Sequence, residues 1–231
     1  MKVLVGGPVS DMHEYCFEEL VRSRKSLIYK NHHVMLVDNS EKDEFYKRLK
    51  KEGFHVEKVG YRKKARDRLV DSRNLLRKYA IENNYDYFLN LDQDIIPPKD
   101  IIERLLKHKE KIVTAIYFNP IRLPLTGEVK LRPVVGVMEG TKIRFLKPEE
   151  MNKGLREVDV CGSGCIIMHR EVLEKVEFRY NKESDGFDDV MFVYDAKQKG
   201  YRVYADTSLL VKHLVISRPW SWKELQKKNE M

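Results

Sequence analysis

Short apolar runs alternate along the chain with amphipathic stretches that carry apolar residues at helical spacing. Four runs predict strands: Lys2–Val5, His33–Val37, Tyr87–Leu91 and Lys111–Phe118. The run Tyr87–Leu91 is nearly continuously apolar, which is typical of a strand covered on both faces of a sheet. The alternation of the four runs with predicted helices indicates an α/β fold, built on an open, mixed and mainly parallel sheet flanked by helices. The runs Pro133–Met138 and Ile143–Leu146 predict a small antiparallel excursion, and the Pro- and Gly-containing segment Asn119–Arg132 is predicted to be a loop.

No stretch between these elements has the composition of a disordered linker, so residues 1–216 are predicted to form a single domain. Residues 217–231 form a basic tail that carries Trp220 and Trp222. Aromatic and basic residues together are typical of a peripheral contact with a membrane surface, and they also fit a cap that folds back on the domain. Both interpretations of the tail stay open at this point.

The composition indicates the kind of ligand but does not choose among the candidates. Charged residues make up 35% of the chain and the net charge is +8, which favours anionic ligands: nucleotide phosphates, nucleic acid or an acidic membrane surface. The three cysteines (Cys16, Cys161, Cys165) show no CxxC spacing, so they support neither a disulfide framework nor a zinc site and predict a reduced, cytoplasmic setting. No apolar run approaches the roughly 18 residues of a spanning helix, and Met1 leads into a strand rather than into a signal peptide.

Two carboxylates follow the apolar run Tyr87–Leu91. In an extended segment residues i and i+2 point the same way, so Asp92 and Asp94 are predicted to project together. Paired carboxylates at the carboxyl end of a strand are suited to a hard cation. A turn rich in Asp and Pro, ending at Pro97 and Pro98, is the alternative interpretation.

A basic helix is predicted over Tyr61–Glu82, and a helical wheel places four arginines beside its core stripe: Arg62, Arg66, Arg73 and Arg77. Arginines in that position can reach a cleft and hold phosphate or a base edge. The wheel places Arg68 further out. For any single one of these arginines, an ordinary solvated basic helix is the simpler interpretation.

Glycine and aspartate mark two strand ends in the first part of the chain. The segment Gly6-Gly7-Pro8 is predicted to turn tightly and to let the backbone, at Gly7 in particular, approach a ligand. The second strand ends at Asp38, which completes a pattern typical of the first half of a nucleotide-binding α/β unit. The spacing is not GxGxxG, so a dinucleotide fold is not indicated.

Two further candidates lie near the end of the chain. Asp188 and Asp189 open a predicted helix, where acidic residues commonly offset the helix dipole. Asp189, however, shares a face with the apolar residues Phe192 and Val193, which predicts that it points inward. His213 lies at the end of the last predicted strand, where a lone histidine is more often structural than a ligand.

Taken together, these residues resemble the GT-A glycosyltransferases, especially small family-2-like enzymes, over about residues 2–214. Four segments carry the resemblance in the family's order: Ser72-Arg73-Asn74 is similar to Ala-Arg-Asn, Asp92-Gln93-Asp94 to the DxD motif, Val158–Arg170 to the glycine-containing strand before the acceptor site, and Asp188-Asp189-Val190 with the later His213 to the Glu-Asp-Val helix and terminal His. The chain departs from the family at Asp188, which replaces the usual Glu, and at Gly6-Gly7-Pro8, which is not a typical donor-loop sequence.

The resemblance implies a GT-A domain with a nucleotide-binding half (1–95) and an acceptor and catalytic half (96–216). It implies transfer of a sugar from a nucleotide-diphospho-sugar to a hydroxyl of a glycan, a lipid-linked molecule or a protein, with inversion. Implied roles are Mn²⁺ or Mg²⁺ binding by Asp94 and His213, with Asp92 on the metal or the ribose; donor binding by Gly7, Asp38, Arg66 and Arg73; and base catalysis by Asp189, next to Asp188.

Three rival functions stay open on the sequence alone, and one of them is a sugar-binding relative that has lost catalysis, against which the intact set of acidic residues argues. A metal-dependent nucleotidyltransferase would share the α/β half, but it would be expected to carry a Gly-rich phosphate loop with a Lys near the amino terminus, which VGGPVSDMHE lacks. A basic nucleic-acid-binding module would use the arginine-rich helix and the tail, and it gives no role to Asp92, Asp94, Asp189 and His213.

Overall fold

The computed structural model describes residues 1–122, 128–183 and 186–217; the predicted tail with Trp220 and Trp222 lies outside the described residues. The described strands are β1 (Val3–Val9), β2 (His32–Asp38), β3 (His55–Lys58), β4 (Tyr87–Leu91), β5 (Ile95–Ile96), β6 (Ile112–Ile116), β7 (Phe118–Arg122), β8 (Val129–Pro133), β9 (Val135–Glu139), β10 (Lys142–Phe145), β11 (Leu155–Glu157), β12 (Val160–Cys161), β13 (Cys165–His169), β14 (Tyr204–Leu210) and β15 (Lys212–His213). The α-helices are α1 (Phe17–Lys25), α2 (Glu44–Lys51), α3 (Ala65–Glu82), α4 (Ile101–Leu106), α5 (Arg170–Lys175) and α6 (Asp188–Gln198), and 3₁₀ helices cover Asp11–Cys16, Pro148–Glu150 and Leu214–Ser217.

Eight strands form the main sheet in the order β11-β14-β6-β13-β4-β1-β2-β3. Strand β1 runs parallel to β2 and β4, β2 is parallel to β3, and β6 is parallel to β14. Strand β13 is antiparallel to both β4 and β6, and β11 is antiparallel to β14. The predicted mixed, mainly parallel sheet is therefore confirmed. The division into halves at residue 95 stays a prediction.

The side chains of each strand alternate between two apolar layers. Leu4 and Phe88 face α3, where they pack in one fully buried cluster with Leu76. Val5 and Leu89 point to the opposite face, into a second cluster that includes the apolar side of α4. Each such buried side chain contributes roughly 1.5–3 kcal/mol relative to exposure. Because both faces are covered, the carboxyl ends of β1, β2 and β4 are the edge of the sheet left open to a ligand.

Gly6 and Gly7 do not form the predicted turn. Both lie inside β1, paired with β2, and the strand continues to Val9. A Cβ atom on Gly7 would lie 2.1 Å from the carbonyl oxygen of Leu91, and one on Gly6 would lie 2.6 Å from Leu76 Cδ2. The glycines therefore let β1 approach β4 and α3 closely, and the prediction of a ligand-facing turn is wrong because this packing was not visible in the sequence.

The predicted antiparallel excursion is confirmed, and it is larger than expected. Strands β9, β10 and β12 form a three-stranded sheet in the order β10-β9-β12. Strands β7 and β8 pair antiparallel, from Phe118 opposite Pro133 to Arg122 opposite Val129. The segment Asn119–Arg132, predicted as a loop, therefore contributes most of a strand pair on the side of the open edge.

Among the described residues, the helices are too short or too polar to cross a membrane.

Candidate active site

A cavity of about 400 Å³ opens at the carboxyl ends of β1, β2 and β4. Five of the residues singled out from the sequence line it: Arg73, Asp92, Asp94, Asp189 and His213. Four others lie outside its lining: Gly7, Asp38, Arg66 and Asp188. The structure thus brings together residues separated by up to 140 positions along the chain, from α3, the end of β4, α6 and β15.

The two aspartates at the end of β4 lie on a turn. The amide of Ile95 donates to the carbonyl of Asp92 at 3.1 Å, which closes the turn over Asp92–Ile95. The chain is not extended there, so the reason given for the two carboxylates projecting together is wrong. Both still face the cavity, but their carboxylates have different partners.

The carboxylate of Asp94 lies next to the imidazole of His213. Asp94 is 4% exposed, and its Oδ2 lies 3.4 Å from His213 Nε2. His213 Nδ1 lies 3.0 Å from the carbonyl oxygen of Phe118. A carbonyl only accepts hydrogen bonds, so Nδ1 carries a proton, and Nε2 is the ring nitrogen that faces Asp94. The Tyr15 hydroxyl donates to the same Asp94 oxygen at 3.0 Å.

This pair fits a divalent cation that is also held by a substrate. Adjacent ligands of an octahedral Mg²⁺ or Mn²⁺ ion lie about 3 Å apart, close to the spacing of Asp94 and His213. Within residues 1–122, 128–183 and 186–217, no group of three or more His, Cys, Asp or Glu side chains is arranged to hold a metal. Cations that are completed by substrate phosphates and water need only one or two protein ligands, so the residues present fit this kind of site.

Arg73 joins Asp92 to Asp188. Its guanidinium is 3% exposed, and it donates to Asp188 Oδ1 at 2.6 Å and to the two Asp92 oxygens at 2.8 and 3.1 Å. Burial disfavours the charged guanidinium, but the carboxylates of Asp188 and Asp92 outweigh it and raise the pKa of Arg73. The guanidinium of Arg73 therefore links α3, the turn after β4 and the start of α6. Its predicted contact with the nucleoside stays a prediction.

Asp188 and Asp189 have different surroundings although they are neighbours. Asp188 is 1% exposed and forms the ion pair with Arg73. Asp189 is partly buried and lines the cavity, with its Oδ1 accepting a hydrogen bond from the amide of Val190 at 2.8 Å. Burial, reinforced by the negative charge of Asp188, raises the pKa of Asp189 to about 6. A carboxyl with a pKa near neutrality is suited to accept a proton from a substrate.

The remaining predicted donor residues do not line the cavity. Asp38, at the end of β2, is fully buried; its Oδ1 accepts hydrogen bonds from the Ser40 hydroxyl at 2.6 Å and the Ser40 amide at 3.0 Å. Burial raises the pKa of Asp38, and the bonds from Ser40 oppose that shift. The neighbouring Asn39 lines the cavity instead. Arg66 donates to the carbonyl of Gly186 at 3.3 Å. Donor binding by Asp38, Arg66 and Gly7 stays a prediction.

The helical wheel misplaced Arg68. This residue is 6% exposed and lines the cavity, and its Nη1 donates to the carbonyls of Arg62 and Lys63 at 2.6 and 2.9 Å. The wheel was wrong because it treats every side chain as pointing away from the axis. Since α3 begins at Ala65, Arg68 can fold back over the first turn toward the preceding carbonyls.

Tyr117 is a cavity residue that the sequence did not reveal. Its hydroxyl accepts a hydrogen bond from the amide of Gly164 at 3.1 Å, and its ring packs edge-on against His213 with the centroids 5.4 Å apart. A Cβ atom at Gly162 would lie 1.9 Å from the Tyr117 hydroxyl oxygen, and one at Gly164 would lie 2.8 Å from its Cζ. The segment Gly162-Ser163-Gly164, a turn bracketed by two glycines, thus makes room for Tyr117.

Solved structures show the same fold at low sequence identity. S. aureus TarS, in a crystal structure of residues 1–349, matches with a TM-score of 0.61 and 16% identity, covering 92% of this chain and 60% of that one. GalNAc-T7 with UDP, GalNAc and Mn²⁺ matches with a TM-score of 0.61 and 11% identity, covering 92% of this chain and 44% of that one. The chain thus spans less than two thirds of either structure. Its sheet and these neighbours place it in the GT-A class of fold.

Residues 13–177, more than half of the chain, match the family model of glycosyl transferase family 2. The chain belongs to glycosyl transferase family 2. No curated protein matches the sequence.

Proposed function

We propose that this protein is a glycosyltransferase that uses a divalent cation to transfer a sugar from a nucleotide-diphospho-sugar to an acceptor hydroxyl, with inversion at the anomeric carbon. One observation carries the proposal: the Asp94–His213 pair and the carboxyl of Asp189 line the same cavity. The Asp94–His213 pair suits a metal cation on the leaving diphosphate, and the carboxyl of Asp189 suits a base beside the acceptor. Family membership supports sugar transfer in general.

Asp94 and His213 would hold Mn²⁺ or Mg²⁺, with Asp92 on the metal or the ribose. The bound cation would stabilise the negative charge that develops on the departing nucleoside diphosphate. Asp94 is held from the protein side by Tyr15, and the imidazole of His213 by Phe118, so both ligands are oriented before a donor binds. Asp92 is fixed by Arg73, which keeps its carboxylate at the edge of the cavity.

Asp189 would act as the general base. Its carboxylate takes the proton of the acceptor hydroxyl while the acceptor oxygen forms a bond to the anomeric carbon. The bond from that carbon to the diphosphate oxygen breaks with its electron pair leaving on the diphosphate. Attack opposite to the leaving group inverts the anomeric configuration. The buried salt bridge between Arg73 and Asp188 fixes the start of α6, and with it the backbone that carries Asp189.

The donor is tested by thermal unfolding with UDP-, GDP-, CDP- and dTDP-sugars, with and without Mn²⁺. TarS with UDP-GlcNAc, at a TM-score of 0.58 and 15% identity, and GalNAc-T7 with UDP make UDP-sugars the first to test. A donor at about 100 times its Kd stabilises the native state by about 2.7 kcal/mol. For a chain of this length that raises Tm by about 5–10 °C. If none of these donors raises Tm in the presence of Mn²⁺, the proposal is wrong.

The pH dependence of transfer tests the base. Asp189 must be ionised to accept a proton, and its pKa is raised to about 6. We therefore expect kcat/KM to be constant above that pH and to fall about tenfold per pH unit below it, because the protonated carboxyl is inactive. The profile is measured at two Mn²⁺ concentrations. A limb that moves with Mn²⁺ concentration reports loss of the cation and would contradict the assignment to Asp189.

The acceptor class and a peripheral membrane contact also stay proposals. The cavity lining also includes Phe187 and Asn119, which offer an aromatic ring and an amide to an acceptor.

A further inference from the structure

Arg24 lies beneath the turn that carries Asp92 and Asp94. It belongs to α1, is 1% exposed and is among the largest fully buried side chains in the described part of the protein. Its Nη2 donates to the carbonyls of Leu91 and Asp92 at 3.2 and 2.7 Å, and its Nη1 donates to the carbonyl of Ile95 at 2.9 Å. One planar group therefore holds both ends of the turn.

This buried cation has no carboxylate within 4.0 Å among residues 1–122, 128–183 and 186–217. Burial lowers the pKa of Arg24 to about 10, so the guanidinium is still charged at neutral pH. A charge without an ion-pair partner is costly to bury, and an apolar side chain could fill the same space. What Arg24 provides, and an apolar residue would not, is a set of donors for the carbonyls of the turn.

The contacts of Arg24 extend to the second metal-ligand candidate. Ile95, whose carbonyl Arg24 holds, lies in β5 and pairs with His213 of β15. The carbonyl of Asp94 accepts a hydrogen bond from the amide of Leu214 at 2.9 Å, which joins the same two segments. The guanidinium of Arg24 thus contacts the turn, and the turn is hydrogen-bonded to the segment that carries His213. A shift of the turn would therefore change the distance between Asp94 and His213.

We propose that Arg24 is a positioning residue: it fixes Asp94 against His213 through the backbone of the turn and thereby sets the affinity for the divalent cation. The inference rests on the cation site of the proposed function. It adds a residue that touches neither the cation nor the donor. The role requires the planar fork that the two terminal nitrogens of the guanidinium form, because three carbonyls in different directions need donors on both nitrogens.

The test measures Mn²⁺ affinity directly, by electron paramagnetic resonance of free Mn²⁺ at 25 °C with UDP, GDP, CDP and dTDP in turn. Three variants are compared with the wild type: Arg24→Lys, Arg24→Met and, as a control, the exposed Arg22→Met on the same helix. We expect the Kd for Mn²⁺ to rise about 10- to 100-fold in both Arg24 variants, the range seen when supporting groups of metal ligands are removed. Arg22→Met should match the wild type. Arg24→Lys keeps the charge and loses the fork.

The outcomes separate this inference from the function on which it rests. Wild-type protein that binds no Mn²⁺ with any of these four nucleotides overturns the cation site itself. Wild-type binding together with unchanged affinity in folded Arg24→Lys, even at a lowered Tm, overturns the role of Arg24. If Arg24→Met does not fold, Arg24→Lys decides alone, with its fold checked by circular dichroism.

Discussion

Asp189→Asn is expected to lower kcat for sugar transfer by about 10²–10⁴-fold, the range that a positioned general base supplies. The amide has nearly the same shape as the carboxylate but cannot accept the proton of the acceptor hydroxyl. Donor binding should stay near the wild-type level, because Asp189 forms no hydrogen bond to Arg73 or Asp94 in the described part of the chain. Single-turnover transfer assays and the donor-induced change in Tm measure the two effects separately.

Asp195→Asn is the matched control for this substitution. Asp195 lies on the same helix and forms a surface ion pair with Arg179 at 2.7 Å. It should transfer sugar at the wild-type rate. Full activity in Asp189→Asn would eliminate Asp189 as the base and point to a retaining mechanism. NMR of the anomeric configuration of the first-formed product decides between inversion and retention independently.

Asp94→Asn is expected to abolish the effect of Mn²⁺ on donor binding and to lower kcat/KM by about 10²–10³-fold. A cation on the leaving group supplies several kcal/mol of transition-state stabilisation, and each 1.36 kcal/mol is tenfold in rate. The neutral amide is a weaker ligand for a hard cation than the carboxylate. Calorimetric titration of Mn²⁺ in the presence of the donor identified by thermal unfolding measures the loss.

The control for Asp94 is Asp100→Asn, at the start of α4, where the carboxylate forms no capping hydrogen bond. Its Mn²⁺ affinity should be unchanged. Should Asp94→Asn bind Mn²⁺ as tightly as the wild type, the Asp94–His213 pair is not the cation site, and Asp92 becomes the candidate to examine.

The hydrophobic pattern predicted the sheet because a strand that is buried on both faces is apolar at consecutive positions. The apolar runs at Lys2–Val5 and Tyr87–Leu91 lie in β1 and β4 at the centre of the main sheet. Helical spacing likewise placed Asp189 on the buried side of α6, and the structure puts it at the cavity. These properties depend on residues close together in sequence.

The predictions that were wrong concern contacts between residues that are distant in the sequence. Gly7 looked like a ligand-facing turn because nothing near it in sequence reveals that Leu91 packs against it. Alternation wrongly predicted the arrangement of Asp92 and Asp94, because a turn replaces the extended chain. The bridging role of Arg73 and the buried position of Arg24 follow from tertiary packing, and no local signal identifies either of them.

The space under the glycine-bracketed turn has a consequence for how the chain can vary. Since the phenol of Tyr117 occupies the place of side chains at positions 162 and 164, the three positions act as one steric unit. An alanine at either glycine demands a smaller residue at 117, and a larger aromatic residue at 117 demands that both glycines stay. Replacement of either glycine should therefore be accompanied by a smaller residue at 117, and a library that randomises position 162 or 164 alone would recover little besides glycine.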